Sequence, residues 1–448
     1  MRIITDSTGA LERLRRPRAG PDAPVNPRVA AGIERIFGEP LSVSDAAARI
    51  LDDVRAQGDA ALFDYLRRID GLSPDRLEVP QGELAAALDE IPTDVADSLR
   101  FAARRIGNYQ EELAGHAIRD FRSNGLGQRV TALDRVGLYV PGGTAVYPST
   151  VLMTAIPARV AGVREVVLVT PPRTDGSIAP VVLAAAAIAR VDRVFAVGGA
   201  QAIAALAYGT ESIPAVDKIF GPGNAFVQTA KRMVFGAVGV DTIQGPTEAV
   251  TIADDHVSPA WCAADILAQA EHDPDSVSIL ITDSPSLAER VQSELSELRQ
   301  RSQRQDILTR SMDDNGAIIV TETIEQAIDL ANVYAPEHLC LMVRNADRYV
   351  GLVRNAGALF LGDHSPHVLG DYVAGPSHAL PTAGAARYSS ALSVNDFLKA
   401  TSIISLSEEE SGPLLPHGIR IARQEGFESH ARSLEVRTAQ RSVTGAGG

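Results

Sequence analysis

Residues 135–170 read RVGLYVPGGTAVYPSTVLMTAIPARVAGVREVVLVT, and the texture of this stretch decides the fold. A β-branched run at 136–140 gives way to Pro141, Gly142 and Gly143, then to an Ala-rich segment, then to a second apolar run at 166–170 that ends at Pro171 and Pro172. The unit returns at 194–197, before Gly198 and Gly199, and at 218–220, before Gly221, Pro222 and Gly223. Short strands alternating with helical crossovers make a parallel sheet, because each crossover carries the chain back to the edge where the last strand began. Residues 135–246 are therefore read as one Rossmann-like α/β domain.

Working outward, a second alternating set begins near Thr247. Strands are expected at 249–252, 277–282, 317–320, 340–343 and 358–361, with helical patterns at 287–301 and 324–333 between them. Residues 27–107 are mainly helical, with apolar residues three and four apart in 47–66 and 83–106. The expected fold class is α/β: two Rossmann-like domains, one inserted in the other, plus small helical segments at both ends. Residues 1–30 form an N-terminal arm, 31–134 with 247–392 the larger discontinuous domain, 135–246 the insertion, and 393–448 a C-terminal helical tail. Gly412 and Pro413 break that tail. Its apolar surface is too small to fold alone, so it is expected to pack on a partner subunit.

A chain of 448 residues, 45% hydrophobic and 22% charged, has the composition of a folded multidomain protein rather than a disordered one. Its formal charge of −14 repels phosphate backbones and anionic lipid, so no nucleic-acid or membrane partner is expected. The one basic cluster, at residues 11–18, is short. Cys262 and Cys340 both lie in apolar stretches, which argues against a disulfide framework and for a reducing, cytoplasmic setting. The near-apolar run at 178–189 contains Pro180 and is too short to span a bilayer.

Several segments carry residues suited to chemistry. In the helical pattern 260–272, Gln269 and His272 are three apart and share a face, where one metal ion can see both or where they simply finish a polar helix end. In GDYVAGPSH (370–378), Gly and Pro forbid a continuous helix and let the backbone approach a ligand; Asp371 is either an oxygen ligand or the cap of a turn. In YAPEHL (334–339), Pro336 ends a helix and puts Glu337 beside His338 at the start of an extended run, where successive side chains point to opposite sides. An imidazole titrating near neutrality is the natural proton acceptor, and the carboxylate must have its pKa raised to compete. Glu425 and His430 are five apart in a segment rich in Arg and Glu, so they share no stripe of a regular helix unless Gly426 breaks it. The turns after residues 140, 197 and 220 match neither G-x-G-x-x-G nor a P-loop, and read equally as phosphate cradles or as tight βα turns.

Taken together, GLYVPGG, VGGAQAIAALAYGTE, DKIFGPGN, GPTE, LAQAEHDP, YAPEHL, GDYVAGPSHALPT and EGFESHA resemble histidinol dehydrogenases, in uninterrupted order from residue 28 to 437. The resemblance implies an enzyme that oxidises L-histidinol through the aldehyde to L-histidine with two NAD, the last step of histidine biosynthesis. It implies one zinc ion per subunit on Gln269, His272, Asp371 and His430, with the tail crossing to the neighbouring subunit of a homodimer. Glu337 and His338 are the implied acid–base pair. Implied substrate contacts are Thr247, Gln269, His272, His338, Asp371, Glu425 and His430, and implied NAD contacts are Tyr139, Gln201 and Asn224. Many members have serine where this chain has Thr247, so an extra methyl enters the substrate space, and Gln244 stands where a small residue is expected before Gly-Pro. The rival reading is a paralogue that oxidises another small polyol, such as a sulfonated propanediol. A sulfonate calls for Arg or Lys, where this chain has Glu425 and Asp371.

Overall fold

The computed structural model describes residues 1–15, 27–142 and 145–444. Arg16 and Arg18 of the basic cluster and Gly143 of the first turn lie outside the described residues. Strands numbered along the chain are β1 Arg2–Ile4, β2 Phe121–Ser123, β3 Leu126–Ala132, β4 Arg135–Tyr139, β5 Glu165–Thr170, β6 Arg193–Ala196 and β7 Lys218–Phe220. They continue with β8 Gly239–Val240, β9 Glu248–Ala253, β10 Val277–Thr282, β11 Ala317–Val320, β12 His338–Met342, β13 Ala358–Leu361 and β14 Leu398–Ile404. The chain divides into two compact units, Met1–Gly115 with Leu133–Phe397, and His116–Ala132 with Leu398–Gly448.

The first unit holds two parallel sheets, as the alternating texture requires. One is five-stranded in the order β6-β5-β4-β7-β8, the other six-stranded in the order β1-β11-β10-β9-β12-β13. Period-two patterning explains their cores. Val136, Leu138, Val140, Val166, Leu168 and Val194 point to one face of the five-stranded sheet, under helices Pro148–Ala161 and Pro180–Ile188. Tyr139, Val167, Val169 and Phe195 point to the other, under Gly199–Tyr208 and Ala225–Val234. Both faces are covered, which is why these strands are apolar throughout rather than alternating with polar residues. In the six-stranded sheet Val250, Ile252, Leu339 and Leu341 share one face, and Leu280, Ile318, Cys340 and Met342 the other.

Helices Val43–Gln57 and Thr93–Gly115 contribute Ile50, Leu51 and Val54, and Ala102 and Ile106, to the two cores of the five-stranded sheet. The sequence reading grouped these residues with 247–392; their packing is on the other sheet. Part of the N-terminal arm is also sheet, since β1 pairs parallel with β11 and Leu14 joins the six-stranded core. Cys262 and Cys340 are free and buried. Among the described residues no helix is long and apolar enough to cross a membrane.

The second unit corrects the reading of 393–448 as a wholly helical tail. Its first segment is β14, antiparallel to β3, which also pairs with β2. Helices Leu415–Gln424 and Glu428–Thr444 follow, with Gly426 at φ +80° between them. That backbone region favours glycine, so the break at Gly426 is real and separates Glu425 from His430.

Candidate active site

In the five-stranded sheet the chain runs outward from β4 through β5 to β6, then returns to the other side of β4 as β7. Ligands of open α/β sheets bind outside the carboxyl ends of the strands at such a reversal. Tyr139 ends β4 there, and its hydroxyl accepts the Gly199 amide at 3.1 Å. Burial pushes the phenol up to about 12, so it stays protonated. Gly199, at φ +68°, opens the next helix against Gln201; a side chain at 199 would collide with the Gln201 carbonyl. That carbonyl, Oε1, is buried without a hydrogen-bond partner. Asn224 caps Ala225–Val234, its Oδ1 accepting from Phe226 N at 3.0 Å and Val227 N at 3.2 Å, which leaves its Nδ2 as a donor. The orphaned Gln201 carbonyl, the exposed Asn224 amide and the helix N-termini are a donor–acceptor set suited to a dinucleotide.

The turn before Asn224 is held by a buried ion pair. Lys231 donates to Gly221 O at 2.9 Å and Thr242 O at 3.0 Å and pairs with Asp241, whose other oxygen accepts from Gly221 N at 2.7 Å. Gly221, at φ +114°, lies so close to Tyr139 that a Cβ would sit 2.1 Å from its carbonyl oxygen. Removing one partner leaves a buried charge unmatched. Lys231→Met is therefore expected to destabilise the protein by about 3 kcal/mol, read as a lowered midpoint in urea, and a midpoint within error of the parent would show the pair to be dispensable.

At the six-stranded sheet the functional residues gather at the amino ends of β9 and β12, which lie side by side with His338 opposite Ala249. Helices that cross between parallel strands bring their carboxyl ends to this edge, and that end of a helix favours positive charge. Pro336 and the left-handed Ala335 stop helix Ile324–Tyr334 here. Glu337 precedes β12 and is buried; its Oε2 accepts from the Thr247 hydroxyl at 2.6 Å and from Glu248 N at 2.9 Å. Thr247 in turn accepts from Gln269 Nε2 at 2.6 Å. The Gln269 amide is thereby oriented, and its Oε1 is left buried with no partner.

The sequence reading had Glu337 and His338 pointing apart, yet their side chains are 3.6 Å from each other, because Glu337 lies just outside the strand and is free of its alternation. His338 Nδ1 lies 3.2 Å from Glu248 O, and a carbonyl only accepts, so Nδ1 carries a proton. In the neutral ring Nε2 is then the basic nitrogen, 3.7 Å from Asp371 Oδ1. Burial opposes charge on His338, but Glu337 and Asp371 outweigh it and hold the imidazole up to about 9. Burial raises Glu337, only partly offset by His338 and Thr247.

Asp371 is not in a loop, as expected from Gly370 and Pro376, but in the short helix His367–Tyr372. Burial works against its carboxylate, yet the facing His338, helped by His378 and His367, keeps its pKa below the usual range. His378 fixes this helix: its Nδ1 donates to Asp371 O at 2.8 Å and its Nε2 faces the Thr150 hydroxyl at 3.1 Å. Helix Pro259–Ala270 ends before His272, which lies just past its cap, Glu271, and keeps solvent access. Burial nonetheless holds His272 below its normal pKa, against the pull of Asp371. Sequence reasoning passed over His367, His378 and Glu248; a lone histidine or a strand-opening acid carries no spacing signal.

Gln269, His272 and Asp371 thus belong to the first unit, and Glu425 and His430 to the second. Among the described residues no three His, Cys, Asp or Glu side chains gather closely enough to hold a metal ion on their own. The expected set draws one ligand, Gln269, from outside those types and one, His430, from the second unit. What the first unit offers fits a cation: an oriented, unpartnered amide oxygen, a carboxylate held ionised, an imidazole held neutral, and a helix carboxyl end.

The family model described as histidinol dehydrogenase matches residues 38–438. A histidinol dehydrogenase of Dehalococcoides mccartyi is 49% identical over 387 residues, 86% of this chain and 88% of the relative. One from Deinococcus radiodurans is 45% identical over 436 residues, 96% of this chain and 98% of the relative. Among solved structures, histidinol dehydrogenase from Elizabethkingia anophelis superposes with a TM-score of 0.88 at 29% identity, covering 98% of each chain.

Proposed function

The chain belongs to the histidinol dehydrogenase family, and from that premise we propose that Glu337 and His338 carry the proton chemistry of its NAD-dependent oxidation of L-histidinol to L-histidine. The observation that carries this assignment is the network Gln269–Thr247–Glu337 set against His338 and Asp371, all at one edge of the six-stranded sheet. Overall, alcohol, water and two NAD⁺ become carboxylate, two NADH and three protons. NAD takes up one hydride in each oxidation.

His338, with Nδ1 committed to Glu248 O, accepts the alcohol proton at Nε2 as the aldehyde forms. Glu337, its carboxylate fixed by Thr247 and Glu248, takes a proton from the water that adds to that aldehyde. His338 returns the alcohol's proton to the aldehyde oxygen as the water adds, and the diol so formed loses a proton to the freed His338 in the second oxidation. Tyr139, Gln201 and Asn224 are the proposed NAD contacts, and 135–246 the inserted domain that supplies them. Thr247, which already donates to Glu337 and accepts from Gln269, borders the substrate, and its methyl takes space beside it; no role follows for Gln244, whose N–H donates to the Gln228 side chain.

We assign a zinc ion to Gln269, His272 and Asp371 with His430. When bound, it supplies a positive charge that fixes the substrate's imidazole and amino groups. Glu425 and His430 are proposed to come from the partner subunit of a homodimer. In the tail, Ile421 of helix Leu415–Gln424 is 60% exposed and Phe427, in the link to the next helix, 53%, apolar surface of the kind a partner covers. The free, buried cysteines suit the cytoplasm. No observation favours the sulfonated-polyol reading.

The test is to mix the purified protein with NAD and L-histidinol and follow NADH. Two equivalents per substrate, abolished by a chelator, are expected; one equivalent leaves the second oxidation without support, and none removes the assignment. Site sharing has its own expected result. His430→Ala should lose metal on dialysis, and mixing it with inactive Gln269→Ala should restore about a quarter of parent activity, since half the dimers then hold one intact site. Verified heterodimers without activity would sink the shared site.

A further inference from the structure

His367 opens the short helix behind Pro366 and is 1% exposed, yet neither of its ring nitrogens has a hydrogen-bond partner. An imidazole carries one donor and one acceptor in its neutral form, and leaving both buried and unpaired is disfavoured unless something that comes and goes supplies the partners. The surroundings say where that something sits. The His367 ring centroid is 5.4 Å from that of His338 with the planes at 55°, and the His338 ring also stacks on Phe360 at 6.0 Å. Asp371, His272 and His338 all act electrostatically on His367, so it belongs to the same polar space as the proton-transfer pair. No other residue in that space has both ends of its side-chain polar group buried and unpaired among the described residues. The metal set assigned above, Gln269, His272 and Asp371 with His430, does not include His367.

We propose that His367 is a substrate-contacting residue that hydrogen-bonds the oxygen on the carbon being oxidised, beside the nitrogen of His338 that takes its proton. This rests on the functional reading above and adds a contact that reading does not contain. The oxygen is a hydroxyl in the alcohol and in the diol, so it both donates and accepts, and an imidazole nitrogen suits it in either protonation state of the ring. The group selected is a small polar alcohol or hydrated aldehyde; an apolar chain at that carbon would leave His367 unpaired in the complex as well.

The experiment compares the zinc-loaded parent with His367→Phe, His367→Leu and His367→Gln, using L-histidinol turnover and calorimetric binding of L-histidine as readouts. His367→Phe is expected to raise the KM for L-histidinol and the Kd for L-histidine about tenfold or more, with the KM for NAD and the zinc content within about twofold of the parent. Its Tm should match or exceed the parent's, because an apolar ring replaces an unpaired polar one; a purely structural histidine would instead cost stability and spare binding. His367→Gln, which keeps a donor and an acceptor, should stay within about threefold. Should the Phe variant not fold, His367→Leu takes its place in the same comparison. Parent-like binding by the folded apolar variant overturns the contact while leaving the functional reading intact. A parent that neither binds L-histidine nor oxidises L-histidinol overturns both.

Discussion

Replacing His338 with asparagine is expected to lower kcat on L-histidinol about a thousandfold while leaving zinc content and the KM for NAD near the parent's. Asparagine can still donate to Glu248 O from the place of Nδ1, so the backbone of β9 and β12 stays paired and the fold is spared. What disappears is a group able to take a proton at the place of Nε2, next to Asp371. Because Glu337 and Asp371 hold His338 above its ordinary pKa against the effect of burial, the base is charged at low pH and becomes competent only as pH rises. The kcat/KM profile of the parent should therefore climb with pH, and the climb should be missing in His338→Asn. Steady-state kinetics across pH, with metal content measured on the same samples, makes the comparison. Loss of zinc together with activity would make His338 a ligand and not the base.

How far the sequence carried the fold depended on whether burial left a pattern to read. β10, β11 and β13 fall where expected, at Val277–Thr282, Ala317–Val320 and Ala358–Leu361, because strands covered on both faces are continuous apolar runs bounded by turn residues. β14 was missed because Leu398–Ile404 is exposed along most of its length, so no hydrophobic period marks it and its pairing with β3 is what makes it a strand. The helix that carries Asp371 was missed because Gly370 lies within its single long turn. The site shows the same division. Glu337 and His338 were legible as a pair by adjacency and by family resemblance. Their real relation, with both side chains on one site, depends on Glu337 standing one residue outside β12. Nor can spacing reveal that Thr247 ties Gln269 to Glu337, since the partners are 22 and 90 residues away along the chain, Gln269 brought by helix Pro259–Ala270 and Glu337 by the pairing of β12 with β9. His272 was placed on a helix that stops short of it, so its position relative to Gln269 follows a cap and not a helical stripe.

Glu337→Gln separates the two oxidations and is expected to leave the first nearly intact while slowing the second by about a hundredfold or more. The amide keeps the size and the acceptor oxygen that Thr247 and Glu248 N address, so the network around Gln269 can persist. It cannot take a proton from water, so the aldehyde, once formed, is not hydrated at the parent's rate. The alcohol step relies on His338 and is spared for a further reason. Glu337 is one of the charges that raise the His338 pKa, so neutralising it lowers that pKa and leaves more of the imidazole in its basic form at neutral pH. Rapid mixing of enzyme, NAD and excess L-histidinol should then show a burst of one NADH per site for Glu337→Gln where the parent gives two, with the aldehyde trapped by a carbonyl reagent. A variant that slows both phases equally would place Glu337 in support of His338 rather than beside the water. One that gives the parent's two-equivalent burst would take the hydration step away from Glu337.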